Sequence, residues 1–372
     1  MRQFFSQMFW MALSATATIA GAALVTPVLT NTIVYVSNSE SNDIYVWHLN
    51  QQTGELTLIE TVAIPGVIKS GGSTPITVSP DRRLLFVATR GEPQSVATFA
   101  IDAQSGKLKF IGSGPLTDSM PYIATDRTGR YLFAASYPGH KLTVSPIGAN
   151  GVIQPTQQVL ENHTNAHSIL ADAKNHYVLA MTLGNDLINV FKFDAKTGKL
   201  EPSTPPSISV KAKSGPRHFV FHPKGKLVYV LGELDAAIHV FDYDAAKGQL
   251  KEKQSVSALP PGVTGRIAAA DLHITPDGKF LYASERTSNT LTGFKVKAAD
   301  GTLTLIETIP TEAMPRSFGI DSASRFLFLV GMRSHRMSSY KIEPDSGKLT
   351  KLKEYPMGKI PNWVEIVNLP AR

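Results

Sequence analysis

From residue 31 onward, apolar positions come in short runs rich in Val, Phe and Tyr, and the breaks between runs carry Pro and Gly. That pattern predicts strands joined by hairpin turns, and no long helical periodicity competes with it. Residues 217–250 show one unit: a run from Arg217 to Phe221, then Leu227-Val-Tyr-Val-Leu, then Ile238-His-Val-Phe, then a Lys247-Gly248 turn and a last run opening at Leu250. Each unit therefore supplies four strands. The same phrase returns at Ile76-Thr-Val-Ser-Pro-Asp, at Leu272-His-Ile-Thr-Pro-Asp and, in degenerate form, at Phe318-Gly-Ile-Asp.

A turn-plus-leucine (once isoleucine) signature marks the period. Gly54, Gly106, Gly151, Gly198, Gly248, Gly301 and Gly347 are each followed two positions later by Leu or Ile, at spacings of 52, 45, 47, 50, 53 and 46 residues. A repeat of this length made of four strands is a propeller blade, and seven copies predict seven blades. The first unit opens at its second strand, Ile33-Val-Tyr-Val-Ser-Asn, and the text left over at the end is Pro361-Asn-Trp-Val-Glu-Ile-Val. The C-terminal strand should therefore complete the first blade, leaving no sheet edge unpaired. The predicted fold is all-β: a single seven-bladed β-propeller over 31–372, with four-stranded blades and no linker. A row of open sandwich domains would not explain a strand missing at one end and spare at the other.

The N-terminal segment is of another kind. No charged residue lies between Arg2 and Glu40, and 8–25 is dominated by Met, Phe, Trp, Ala, Leu, Ile and Val. One positive residue, an apolar stretch and small residues at Ala20-Gly21-Ala22 predict a signal peptide over 1–22, hence a periplasmic or secreted protein with no stable membrane anchor once cleaved. An uncleaved anchor is the alternative, since the run approaches the roughly 20 residues that span a bilayer. With no cysteine after the run, a lipoprotein anchor is not expected.

Composition narrows the chemistry. The chain has no cysteine, which excludes disulfides, thiolate nucleophiles, iron–sulfur clusters and Cys-ligated zinc. Lys plus Arg exceed Asp plus Glu by 37 to 30, an excess that suits an anionic partner, but no dense basic run supports nucleic-acid binding. Asp271 and His273 lie about 6.5 Å apart on one strand face and could share an ion, but one pair makes no metal site. No H-E-x-x-H motif, EF-hand loop or G-x-S-x-G elbow occurs, so neither a metal nor another cofactor is expected. His218 and His222 lie about 13 Å apart along a strand, too far to chelate one ion, and read as blade-surface residues.

The phrases Ser214-Gly-Pro-Arg-His-Phe-Val-Phe-His-Pro, Gly232-Glu-Leu-Asp, Asp271-Leu-His-Ile-Thr-Pro-Asp-Gly and Pro315-Arg-Ser-Phe-Gly-Ile-Asp resemble the propeller-type lactonase family. That family contains the bacterial seven-bladed 6-phosphogluconolactonases and the fungal carboxymuconate lactonizing enzymes. The resemblance spans essentially the whole chain after the N-terminal segment, and it implies a site that handles lactones.

Aligning the blades shows where the repeat is broken by reactive residues. At the start of the innermost strand the set is Thr74, Pro121, His167, Arg217, Ala270, Arg316 and Asn362, and in the loop after the second strand it is Ser39, Arg90, Tyr137, Leu183, Glu233, Arg286 and Met332. Equivalent positions ring one axis, so His167, Arg217, Arg316, Arg90, Glu233 and Arg286 should converge on one face and favour a small anionic or sugar-lactone substrate. In the lactonizing branch of the family, the residues that resemble His167, Arg217, Glu233 and Arg286 line the active site, which implies a catalytic role for these four. Arg90 and Arg316 become secondary binding residues, although solvated rim charges are their simpler reading, and Asp271 and His273 would flank the pocket. An Arg217–Glu233 structural ion pair and a hydrogen-bonded structural His167 are the bland alternatives.

The expected reaction is hydrolysis of a sugar-acid lactone, gluconolactone-like or 6-phosphogluconolactone, by water that Glu233 or His167 activates, with Arg217 or Arg286 stabilising the oxyanion. Export weighs against a phosphorylated substrate. The same groups could close a lactone, as a carboxymuconate-type cyclase does, and a non-catalytic periplasmic binding or scaffold propeller is the reading from another class. A closed propeller is expected to be a monomer.

Overall fold

The structure, a computed structural model, describes residues 31–369, so the expected signal segment lies outside the described residues. These residues form seven four-stranded antiparallel sheets. The blades after the first span 76–115, 122–160, 166–209, 216–257, 269–310 and 315–356, each running from the innermost strand outward. The first blade takes its innermost strand, Pro361–Asn368, from the C-terminus and the others from 32–63. Pro361–Asn368 pairs antiparallel with Thr32–Asn38, from Thr32 opposite Asn368 to Asn38 opposite Pro361, and Thr32 Oγ1 donates to Asn368 Oδ1 at 2.8 Å. The ring closes as the leftover strand predicted.

The apolar material lies in seven clusters, one in each gap between neighbouring blades, rather than in one core. In one gap, Tyr229 and Leu231 of the fifth blade pack with Leu272, Leu281 and Phe294 of the sixth. The second strand of a blade is thus covered on both sides; Leu227–Gly232 is buried along its whole length. Burying each such side chain contributes about 1.5–3 kcal/mol.

The repeated glycine locks blade to blade. All seven signature glycines adopt φ between +66° and +81°, a left-handed conformation that glycine adopts without steric cost. Gly248 of the fifth blade sits where an added Cβ would be 2.3 Å from the Tyr177 ring of the fourth, and Gly54 meets Phe326 of the seventh blade in the same way, across the closure. The signature is therefore both a turn and a docking point. Innermost strands begin at one end of the ring, here called the mouth, and the glycine turns lie at the far end.

Candidate active site

The mouth residues owe their positions to a break in strand regularity. In the fourth blade Ala166 pairs with Thr182 and Ser168 with Met181, so His167 has no partner in the ladder. Arg217 is bypassed in the same way between Pro216 and His218, and Arg316 between Pro315 and Ser317. Such β-bulges insert an extra residue and re-aim side chains, here at the rim of the channel. Arg90, Glu233 and Arg286 reach the mouth from a second place, each being the first residue after the second strand of its blade.

Three of the expected residues are in direct contact. The Glu233 carboxylate bridges two guanidiniums, with Oε2 2.9 Å from Arg217 Nε and Oε1 2.7 Å from Arg286 Nη2. Backbone carbonyls hold both arginines further: Arg286 Nε donates to Ala268 O at 2.9 Å, and Arg217 Nη1 donates to Ala270 O. Burial alone would raise the Glu233 carboxyl, but Arg217 and Arg286 outweigh it and hold it below its ordinary value. Burial depresses Arg217 to about 10 despite Glu233. Arg217 is 1% exposed and is one of the largest fully buried side chains among the described residues.

Arg316 and Arg90 are not solvated rim charges. Arg316 is 8% exposed, its Nε has no hydrogen-bond partner, and burial together with Arg217, Arg286 and Arg90 pushes it well below the ordinary arginine value. Arg90 is half-buried and donates from Nε to Ser119 Oγ at 2.9 Å and from Nη1 to Ser73 Oγ at 3.0 Å. His167 lies beside Tyr137 and His218, with ring centroids 6.1 and 5.1 Å away, and its Nδ1 has no partner. Burial first, then Arg217, His218, Arg316 and Arg90, holds it neutral.

One step deeper along the strands is a layer that contains the expected Asp271 and His273 together with residues not expected there. His218 is buried in the axial channel rather than on a blade surface, with Nδ1 2.8 Å from Asp271 Oδ1. His222 is buried too, accepting at Nδ1 from the Lys224 backbone N–H at 3.0 Å in a far-end turn. Asp271 and His273 contact each other directly: His273 Nε2 donates to Asp271 Oδ2 at 3.2 Å, and that oxygen also accepts from the Phe318 N–H at 3.1 Å. Against burial, the histidines hold Asp271 well below the ordinary carboxylate range, while Asp271 raises His273. Tyr122, Trp363 and Glu365 join this layer around an axial cavity of about 260 Å³ to which all seven blades contribute.

Tyr122, His218 and Trp363 had a signal: they occupy the next aligned position, where they fall together with Asp271 and Ser317. Strict alternation turns that position away from the axis when its neighbour faces it. The bulges suspend alternation, so Arg217 and His218 both serve the channel.

Two guanidiniums thus hold the Glu233 carboxylate and that of Arg316 acts on it as well, in a buried setting where unpaired charge is costly. The arrangement is suited to an anion or a developing oxyanion. Known proteins agree with the fold. The family model described as "Lactonase, 7-bladed beta-propeller" matches residues 28–366. The 6-phosphogluconolactonase of Pectobacterium carotovorum subsp. carotovorum (strain PC1) is 39% identical over 337 residues, covering 91% of this chain and 99% of its own. That of Yersinia pestis (strain Pestoides F) is 38% identical over 333 residues, covering 90% and 97%. Among solved structures, the periplasmic gluconolactonase PpgL of Pseudomonas aeruginosa superposes with a TM-score of 0.82 at 25% identity, over 92% of this chain and 99% of that one. Relatives of this kind support a lactone-hydrolysing enzyme, and with a family model that spans nearly the whole ring, the chain belongs to the seven-bladed β-propeller lactonase family.

Proposed function

We propose that the protein hydrolyses the lactone of a sugar acid, outside the cytoplasm, with a non-phosphorylated aldonolactone such as gluconolactone as the preferred class. The observation that carries this reading is the buried Arg316, with an unpartnered Nε, beside the Arg217–Glu233–Arg286 bridge. A guanidinium that has lost water and gained no carboxylate favours whatever brings negative charge to it, and the tetrahedral intermediate of ester hydrolysis does so. The charge-free apolar segment at 8–25 supports the location, and so does the likeness to a periplasmic gluconolactonase.

In this reading the lactone carbonyl oxygen points at Arg217, Arg286 and Arg316, and the hydroxyls or acidic group of the substrate reach toward Arg90. Glu233 is a weak base because two guanidiniums stabilise its charged form. Its part is to fix the two arginines in one plane. Water activation falls to an imidazole of the channel, which is neutral at physiological pH.

The test is acid release in a pH-stat by the mature protein on gluconolactone, 6-phosphogluconolactone and a muconolactone, beside Arg217→Ala and Glu233→Gln. Losing one charge-assisted contact to the oxyanion should lower kcat by two to three orders of magnitude, about 3–4 kcal/mol. Wild-type rates in both variants would remove the site, and no turnover of any lactone by the wild type would remove the reading.

A further inference from the structure

Asp271 is an ionised carboxylate, so it accepts hydrogen bonds and donates none. Four donors surround it: the Leu272 N–H at 3.0 Å and His218 Nδ1 at 2.8 Å on Oδ1, and the Phe318 N–H at 3.1 Å and His273 Nε2 at 3.2 Å on Oδ2. The tautomer of His218 follows. Its proton is on Nδ1, and Nε2 carries a free lone pair. That Nε2 is buried without a hydrogen-bond partner in a side chain that lines the axial cavity. A carboxylate behind one imidazole nitrogen, with the other nitrogen unpartnered in a side chain that lines a cavity large enough for water, is the arrangement of a general base.

We propose that His218, oriented by Asp271, takes the proton from the attacking water in the lactonase reaction. The inference rests on the lactonase reading above and assigns the step which that reading leaves to an imidazole. His167 is the less suitable candidate, because guanidiniums and no carboxylate surround it, so nothing stabilises an imidazolium there. His218 follows Arg217 directly at the bulge, and the charges of Arg217 and Arg316 both act on its ring. The cavity of about 260 Å³ has room for several waters, each occupying about 30 Å³ in the liquid.

The step balances without a co-reactant. The water oxygen bonds to the lactone carbonyl carbon while its proton moves to His218 Nε2, and the carbonyl oxygen becomes an oxyanion facing the arginines. Collapse breaks the bond from the carbonyl carbon to the ring oxygen, and His218 returns the proton to that oxygen. The product is the open hydroxy acid, and the imidazole is again neutral.

The groups that face His218 are Arg217 on its own strand, His167, Asp271 with His273, Arg316, Tyr122 and Glu365. Burial and Arg217 depress His218 to about 4 against the pull of Asp271. Because the base works when neutral, kcat/KM should hold steady from pH 7 down to about 5 and fall only near pH 4.

The deciding experiment is steady-state kinetics of His218→Gln and Asp271→Asn on the lactone the wild type turns over, with thermal unfolding to confirm folding. We expect kcat to fall about 100- to 1,000-fold in His218→Gln with KM within about threefold, and the residual rate to rise with hydroxide concentration. Asp271→Asn can donate to Nδ1 and so reverses the tautomer, and it should lose kcat to a similar degree. A folded His218→Gln with wild-type kcat, or one with only KM raised, would overturn the assignment. Should neither variant fold, the wild-type pH profile decides, and an acid limb centred near 6.5 would overturn it. A wild type that opens no lactone defeats the lactonase reading itself, whereas an active wild type with an indifferent His218→Gln defeats only this inference.

Discussion

The two ends of the ring use the same strands in opposite ways. At the far end each blade repeats its neighbour: a left-handed glycine closes the outer hairpin and packs on the blade before it. The charges there are solvated pairs such as Lys279–Asp277 at 3.5 Å and Lys247–Asp244 at 3.7 Å, with both lysines about two-thirds exposed. At the mouth the blades differ, with arginine repeated only at Arg217 and Arg316 and at Arg90 and Arg286, and the ion pairs are enclosed. Residues that every blade shares carry architecture, and residues that depart from the repeat gather the buried charge. The difference also has an energetic side, since an exposed pair contributes about 0–1 kcal/mol, whereas leaving one buried partner unpaired costs about 3–5 kcal/mol.

Three substitutions probe the contrast, in falling order of effect. Arg316→Met at the mouth should lower kcat/KM by about two to three orders of magnitude while raising the melting temperature, because it replaces a desolvated, unpaired guanidinium by an apolar chain of similar length. A melting temperature that falls together with unchanged kinetics would show that Arg316 belongs to the architecture. Gly248→Ala at the far end should do the reverse. Its φ of +66° and the Tyr177 ring 2.3 Å from the new Cβ predict a loss of about 2 kcal/mol or more in chemical denaturation, with kinetics at 25 °C unchanged. Lys279→Ala should change stability by about 0.5 kcal/mol or less and leave turnover alone, as a solvated pair does; a larger shift in either would mean that the far-end charges do more than repeat.

Much of this could be read from the chain. The glycine spacing gave the blade number, the orphan strand at each end gave the closure, and the breaks in the repeat picked out Arg217, Glu233 and Arg286, which meet through one carboxylate. His218 could not be read in the same way, because a strand pattern places Arg217 and His218 on opposite faces and nothing in the residue types announces the bulge. The enclosure of Arg316 was equally hidden, since its surroundings include Arg217, Arg286, Arg90 and Glu233 from other blades.

Strand pattern and repeat thus determined the ring, its seven blades and the positions where chemistry departs from architecture, because periodicity and turn residues act locally and each copy reinforces the next. Tertiary structure alone decided which of those positions lost their water, which nitrogen of His218 meets Asp271, and that Arg217 and Arg286 share one carboxylate. Desolvation and charge coupling depend on what closes over a group from distant parts of the chain, and no local run of residues carries that information.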